Sequence, residues 1–196
     1  YILHADGAAF QKRDSLLTIS LKPLHFNRDS KRDAHMLIAS LVKSILTDEA
    51  LALVWKVISW SLACLADGVF PQRDHDGKVW PPGSPRAALS GSLHADDLFG
   101  SFWGVTGDLD FFQKELKMPA NNVDGFCWRC RCNRSSRPWN DFRPGAAWRS
   151  TCLSAQELKQ NTTSCPLFGD VVFSTAFLMY DMMHVSDLGV VLHVIA

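Results

Sequence analysis

Apolar positions fall first into two β-capable runs. Tyr1, Ile2 and Leu3 lead into His4-Ala5-Asp6-Gly7, a composition that predicts a turn. Leu16 to Leu21 then resumes a strand that Pro23 stops. The first strand is therefore expected to end at an aspartate, Asp6. Between residues 30 and 46 the period lengthens. Leu37, Ile38, Leu41, Val42 and Ile45 share one helical face, which predicts a helix. Thr47 can cap a second helix, with Asp48 and Glu49 in its first turn and Gly68 as its stop. Leu51, Val54, Trp55, Ile58, Leu62 and Leu65 make that helix apolar on nearly every side. Lys56 interrupts the run, which is short for a bilayer, so a buried core helix is expected rather than a membrane span.

Residues 67–97 read as loop, punctuated by Pro71, Pro81, Pro82, Gly83 and Pro85, with a turn at Asp74-His75-Asp76-Gly77. Ser84-Pro85 can start one short helix through Leu89. Trp103 and Val105 with their neighbours predict a buried strand ending at Gly107-Asp108. Leu109, Phe112 and Leu116 then follow at helical spacing as far as Pro119. Residues 151–170 read as loop. From Val171 an apolar run leads to Asp181-Met182-Met183-His184 and a last apolar segment. No internal repeat is present.

Composition changes this picture in two places. Charge is balanced overall, 20 Lys+Arg against 20 Asp+Glu, which argues against a uniformly basic binder. Yet residues 127–150 carry six arginines against one aspartate, a local charge of +5 offset by −5 elsewhere. Trp128, Trp139, Phe142 and Trp148 are interleaved with these arginines. Five of the six cysteines fall between Cys127 and Cys165, clustered rather than spread as a disulfide framework, so a reduced intracellular protein is expected. At 196 residues the chain is about one domain long. It opens on Tyr1 with nothing resembling a signal peptide and stops inside an apolar run, as a fragment would.

Four constellations carry candidate chemistry. Asp6, Asp108 and Asp181 come from separate elements and could bind two divalent cations, Mg²⁺ or Mn²⁺, for phosphodiester transfer. Equally, Asp108 can cap the following helix and Asp6 can sit in an Asp-Gly turn. In Cys127-x-x-Cys130-x-Cys132, the Cys127–Cys130 knuckle is half of a Zn²⁺ site, to be completed by Cys132, Cys152, Cys165 or His184. Buried free thiols are the alternative. Arg129, Arg131, Arg134, Arg137 and Arg143 could contact nucleic-acid phosphates while aromatic rings stack on bases. Alternatively this is a solvated loop whose tryptophans, Trp139 and Trp148 above all, anchor it to the core. Asp181-x-x-His184 could ligate a metal or be structural. No G-x-S-x-G elbow, phosphate-binding glycine loop or H-E-x-x-H motif appears.

The series Gly107-Asp108-Leu109-Asp110, Cys127-Trp128-Arg129-Cys130-Arg131-Cys132-Asn133, Pro138-Trp139-Asn140-Asp141-Phe142-Arg143-Pro144 and Asp181-Met182-Met183-His184 resembles a multicopy, transposon-like protein family of algal genomes. It is also distantly similar to DDE-type cut-and-paste transposases. The resemblance implies an α/β fold: an RNase H-like mixed sheet flanked by helices, with a Cys-rich, zinc-binding insertion. The implied organisation is an N-terminal core over 1–126, the insertion over 127–170, and a truncated return to the core over 171–196. By analogy, Asp6 matches the first catalytic carboxylate, Asp108 the second and Asp181 the third. The implied function is metal-dependent DNA cleavage and transfer in an intact parent, in the nucleus, with DNA as partner, no membrane and an unspecified oligomeric state. The alternative is a non-catalytic, zinc-stabilised nucleic-acid-binding module from a decayed or domesticated element.

Overall fold

The computed structural model describes residues 1–10, 14–24, 35–94, 99–120, 123–125, 127–154, 156–157, 164–170 and 178–180. Five strands are formed: β1 (Ile2–Phe10), β2 (Asp14–Lys22), β3 (Met36–Val42), β4 (Gly104–Gly107) and β5 (Leu178–Tyr180). Helices are α1 (Asp48–Asp67), α2 (Pro85–Leu89) and the single turn α3 (Leu167–Asp170). The protein is α/β, and its chain divides into two compact units. One comprises Tyr1, Leu46–Trp103 and Cys165–Val172; the other comprises Ile2–Ile45, Gly104–Ser164 and Phe173–Ala196.

The second unit is built on a mixed sheet of order β3-β2-β1-β4-β5. β1 and β2 pair antiparallel from Ile2 opposite Lys22 to Phe10 opposite Asp14. β2 and β3 are also antiparallel, with a register shift at Ile19/Ser20. β4 runs parallel to β1, and β5 parallel to β4. Leu3, Ala5, Leu17, Ile19, Val105 and Leu178 are buried to 1% exposure or less and share one face. His4, Asp6, Thr18 and Thr106 alternate onto the other face.

Two expectations are corrected here. The turn at His4–Gly7 does not form: β1 continues through it because Asp6 faces Thr18 and Gly7 faces Leu17 in the β2 ladder. Asp6 is thus inside a strand, not at its end. The helix expected over 30–46 is also replaced, within its described part, by β3. Its apolar spacing fits a helix, but Val42, Leu41, Ala39 and Leu37 pair along β2. Tertiary pairing overrides a local period when a neighbouring strand offers an open ladder.

After β4 the chain makes a π-helical turn, Phe111–Glu115, in place of a regular helix. Phe111, Phe112, Leu116 and Met118 from this turn are buried, and the Phe112 ring packs on the buried Trp128 ring at 4.9 Å between centroids. Lys43 closes the same unit by an ion pair of 2.9 Å to the buried Glu115. Trp103, expected in the buried strand, lies outside β4 and is 55% exposed.

In the other unit, α1 starts where its caps predict. Thr47 Oγ1 accepts the Ala50 N–H at 3.2 Å, and Gly68 closes the helix with φ 71°. Only glycine enters that left-handed conformation at little cost. α1 buries Leu51, Trp55, Ile58, Ser59 and Leu62, and Ser59 Oγ donates to the Leu167 carbonyl of α3 at 3.4 Å. By length and composition alone α1 is also long and apolar enough to cross a membrane, a test that core helices pass as well. Ser84 caps α2 through the Ala87 N–H at 3.2 Å. The Asp74–Gly77 turn forms as expected, with Asp74 Oδ1 accepting the Asp76 and Lys78 N–H groups at 2.9 Å.

Candidate metal centre

The knuckle that follows the π-helical turn is held from both sides. Trp128 inserts its ring into the core, and the Arg129 guanidinium donates to the Leu178 carbonyl of β5 at 2.9 Å. The residues flanking Trp128 are thereby fixed, and Cys127, Cys130 and Cys132 bring their three sulfurs within 4.8 Å of one another. The Cys127 and Cys130 sulfurs are 3.4 Å apart, and the Arg129 N–H donates to the Cys127 sulfur at 3.4 Å. Cys130 and Cys132 are buried. Burial, followed by the neighbouring thiols, pushes the Cys132 thiol up to about 12. Burial is also the main cause of the raised Cys130 value. Ionising such a cluster in the absence of a cation is unfavourable, because each thiolate loses water and repels the next.

A soft divalent cation removes that repulsion by replacing the protons. Three converging thiols are the donor set of a Zn²⁺ site with one position still to fill. The cluster could therefore hold a metal ion such as zinc. A cleft of about 400 Å³ opens over it, lined among others by Pro119, Asp124, Cys127, Cys130, Cys132 and Arg137. His184, expected as a further ligand, lies outside the described residues.

The carboxylates are organised by the sheet. The parallel register pairs Ile2 with Gly104, Leu3 with Val105 and His4 with Thr106. β4 ends at Gly107, so Asp108 is the first residue past the strand; the same register continued by two residues would bring it beside Asp6. Close approach continues to the end of β4: a Cβ at Gly107 would lie 2.9 Å from the Ala5 carbonyl oxygen. Asp108 Oδ1 accepts the Phe111 N–H at 2.6 Å, so Asp108 does cap the turn that follows. Asp6 Oδ1 accepts the Gly7 N–H at 2.7 Å. A carboxylate has about four acceptor positions, so neither bond excludes a cation. Asp181 lies outside the described residues.

The guanidinium groups of Arg129, Arg131 and Arg143 have partners within the protein. Arg143 grips Asp141 through two nitrogens at 2.9 and 2.8 Å, holding that carboxyl down at about 2. Arg131 pairs with Glu157, whose carboxyl is held at about 2 first by the Ser154 N–H and hydroxyl and then by this arginine. The Arg134 N–H donates to Asp124 at 3.1 Å, and Arg137 lines the thiol cleft. Trp148 is half-buried and donates to the Asp141 carbonyl at 2.8 Å, a bond within the loop itself. Trp139 is 52% exposed and anchors nothing comparable.

Asp124, Glu157 and Asn133 were not anticipated. Asn133 Oδ1 accepts the N–H groups of Ser135, Ser136 and Arg137 at 3.1, 2.9 and 2.8 Å, which shapes the loop after Cys132. The Ser154-x-x-Glu157 spacing is a capping-box signature that identifies Glu157 from sequence. Asp124 carries no such signal. Comparison with family models, curated proteins and solved structures finds no match to the chain.

Proposed function

We propose that the chain is part of a transposase-like, metal-dependent DNA-cleaving protein with an RNase H-like core. The observation that supports this reading is the parallel β1–β4 register, paired as far as His4 and Thr106, whose continuation by two residues would bring Asp6 beside Asp108. The sheet order supports it too: an antiparallel meander, β1-β2-β3, is extended beyond β1 by two parallel strands, which suits an RNase H-like core. In this reading Asp6 and Asp108 hold Mg²⁺ or Mn²⁺, with Asp181, the residue after Tyr180, as third carboxylate. The cation would acidify an attacking water or hydroxyl and stabilise the leaving oxygen of a phosphodiester. Cys127, Cys130 and Cys132 hold a structural zinc.

The test is nicking of supercoiled plasmid with Mg²⁺ or Mn²⁺, together with Mn²⁺ binding followed by electron spin resonance. Asp6→Asn and Asp108→Asn are each expected to abolish nicking and weaken Mn²⁺ binding. Wild-type levels of both in Asp108→Asn would remove the catalytic reading. The thiol cluster stands independently of the carboxylates and favours a second reading, the non-catalytic zinc-stabilised nucleic-acid-binding module. That reading expects salt-dependent DNA binding without nicking, because phosphate contacts release counterions.

A further inference from the structure

Zinc bound by protein alone takes four ligands, and the thiol cluster supplies three. The remaining cysteines differ in placement. Cys64 and Cys165 belong to the other compact unit. Cys152 lies directly across from Cys130 in an isolated antiparallel bridge. The two hydrogen bonds of that bridge flank the pair: the Arg131 N–H donates to the Thr151 carbonyl at 3.2 Å, and the Leu153 N–H to the Arg129 carbonyl at 2.8 Å. Neither cysteine contributes its own backbone to them. This is the non-hydrogen-bonded kind of pair, in which Cα atoms are about 4.5 Å apart and the two side chains share a face at their closest.

The strand-like segment around Cys152 is fixed independently of any ligand. The Thr151 hydroxyl accepts the Arg131 N–H at 3.1 Å and donates to the Trp148 carbonyl at 2.7 Å. The Cys152 thiol itself is exposed and donates to the Arg149 carbonyl at 3.5 Å. A thiol is a weak donor, so little opposes rotation about its single χ1 bond. Rotation swings the sulfur along the face it shares with Cys130.

We infer that Cys152 is the fourth ligand of the thiol site, making it an all-cysteine zinc centre that ties residues 127–132 to residues 151–153. This rests on the reading of the three clustered thiols as a metal site, and not on the carboxylate chemistry. The device has a clear physical effect. A knuckle with three thiols closes only its own short loop, whereas a ligand from Cys152 also closes the intervening arginine-rich loop. The cleft residue Arg137 would then face a centre with net negative charge, which suits a guanidinium there.

The test is titration of the reduced, metal-free full chain with Co²⁺ as a spectroscopic stand-in for Zn²⁺, followed by Zn²⁺ competition. The wild type is expected to give the band pattern of tetrahedral cobalt with four thiolates. Cys152→Ser is expected to lose part of the thiolate charge-transfer intensity and to weaken zinc by more than the ~10- to 100-fold typical of an outer-shell change. Cys152→His is expected to restore tight binding with shifted bands, which a merely misfolded site would not do. Cys165→Ser and His184→Gln are expected to leave the bands unchanged. Wild-type bands and affinity in Cys152→Ser, or loss of them in His184→Gln, would overturn the inference while leaving the three-thiol site intact. A Cys130–Cys152 disulfide in the zinc-loaded protein, mapped by peptide mass, would also overturn it. Failure of the wild type to take up cobalt or zinc at all would reject the metal site itself.

Discussion

Gly107 illustrates how a single residue sets the candidate site. A methyl group there would meet Phe111 Cδ1 at 2.4 Å and the Ala5 carbonyl oxygen at 2.9 Å. The ring can shift only within a packed core, and the carbonyl belongs to the β1 backbone. Gly107→Ala is therefore expected to destabilise the protein by about 1–3 kcal/mol, the usual cost of overpacking, measured by urea unfolding. An unchanged midpoint would show that β1 and β4 are not this close. Cys132 makes a second residue-level prediction. Its thiol titrates at about 12 in the folded metal-free protein, against an ordinary value near 9 when unfolded. Between these values the folded state holds the proton that the unfolded state releases, so metal-free stability falls as pH rises through that window. Cys132→Ser is expected to flatten this decline in denaturation midpoints measured from pH 8 upward under reducing conditions.

The elements divide into those made by local chemistry and those made by pairing. α1 and α2 belong to the first kind: Thr47 and Ser84 cap them, and Gly68 ends α1, all within a few residues of the helices themselves. Thr47→Ala is expected to cost about 0.5–2 kcal/mol, seen as a lower thermal midpoint, whereas Thr47→Ser should be nearly neutral. β1 and β3 belong to the second kind. The Asp6-Gly7 dipeptide has turn composition and residues 36–42 belong to a stretch of helical spacing, yet both are drawn into the ladders of β2. The π-helical turn is an intermediate case. The helical spacing of Leu109, Phe112 and Leu116 foretold a helical segment, but burying Phe111 and Phe112 together with Trp128 widened it.

At the scale of the molecule, a metal held by Cys127, Cys130 and Cys132 would couple binding to stability, because the folded state alone brings the three thiols together. With zinc at about 100 times its dissociation constant, binding adds roughly 2.7 kcal/mol to the folded state. A strong chelator is accordingly expected to lower the thermal midpoint of the reduced protein, and Cys127→Ser to lower it without further response to chelator. Equal midpoints with and without chelator would argue against a structural metal. The sheet brings together distant parts of the chain in the same way: Ile2–His4 pair with Gly104–Thr106, about a hundred residues on, because β4 lies against β1.

The sequence by itself determined what depends on near neighbours. The α1 and α2 boundaries, the Asp74 turn, the C-x-x-C-x-C donor set and the capping role of Asp108 are all of this kind, because each rests on residues within about one turn of each other. Tertiary structure decided the strand state of residues 36–42, the continuation of β1 through Asp6, and the engagement of Arg129 and Arg131 by distant groups in the fold. It also decided that Cys152 faces Cys130. These depend on ladders and ion pairs between distant segments, whose energies no local pattern encodes.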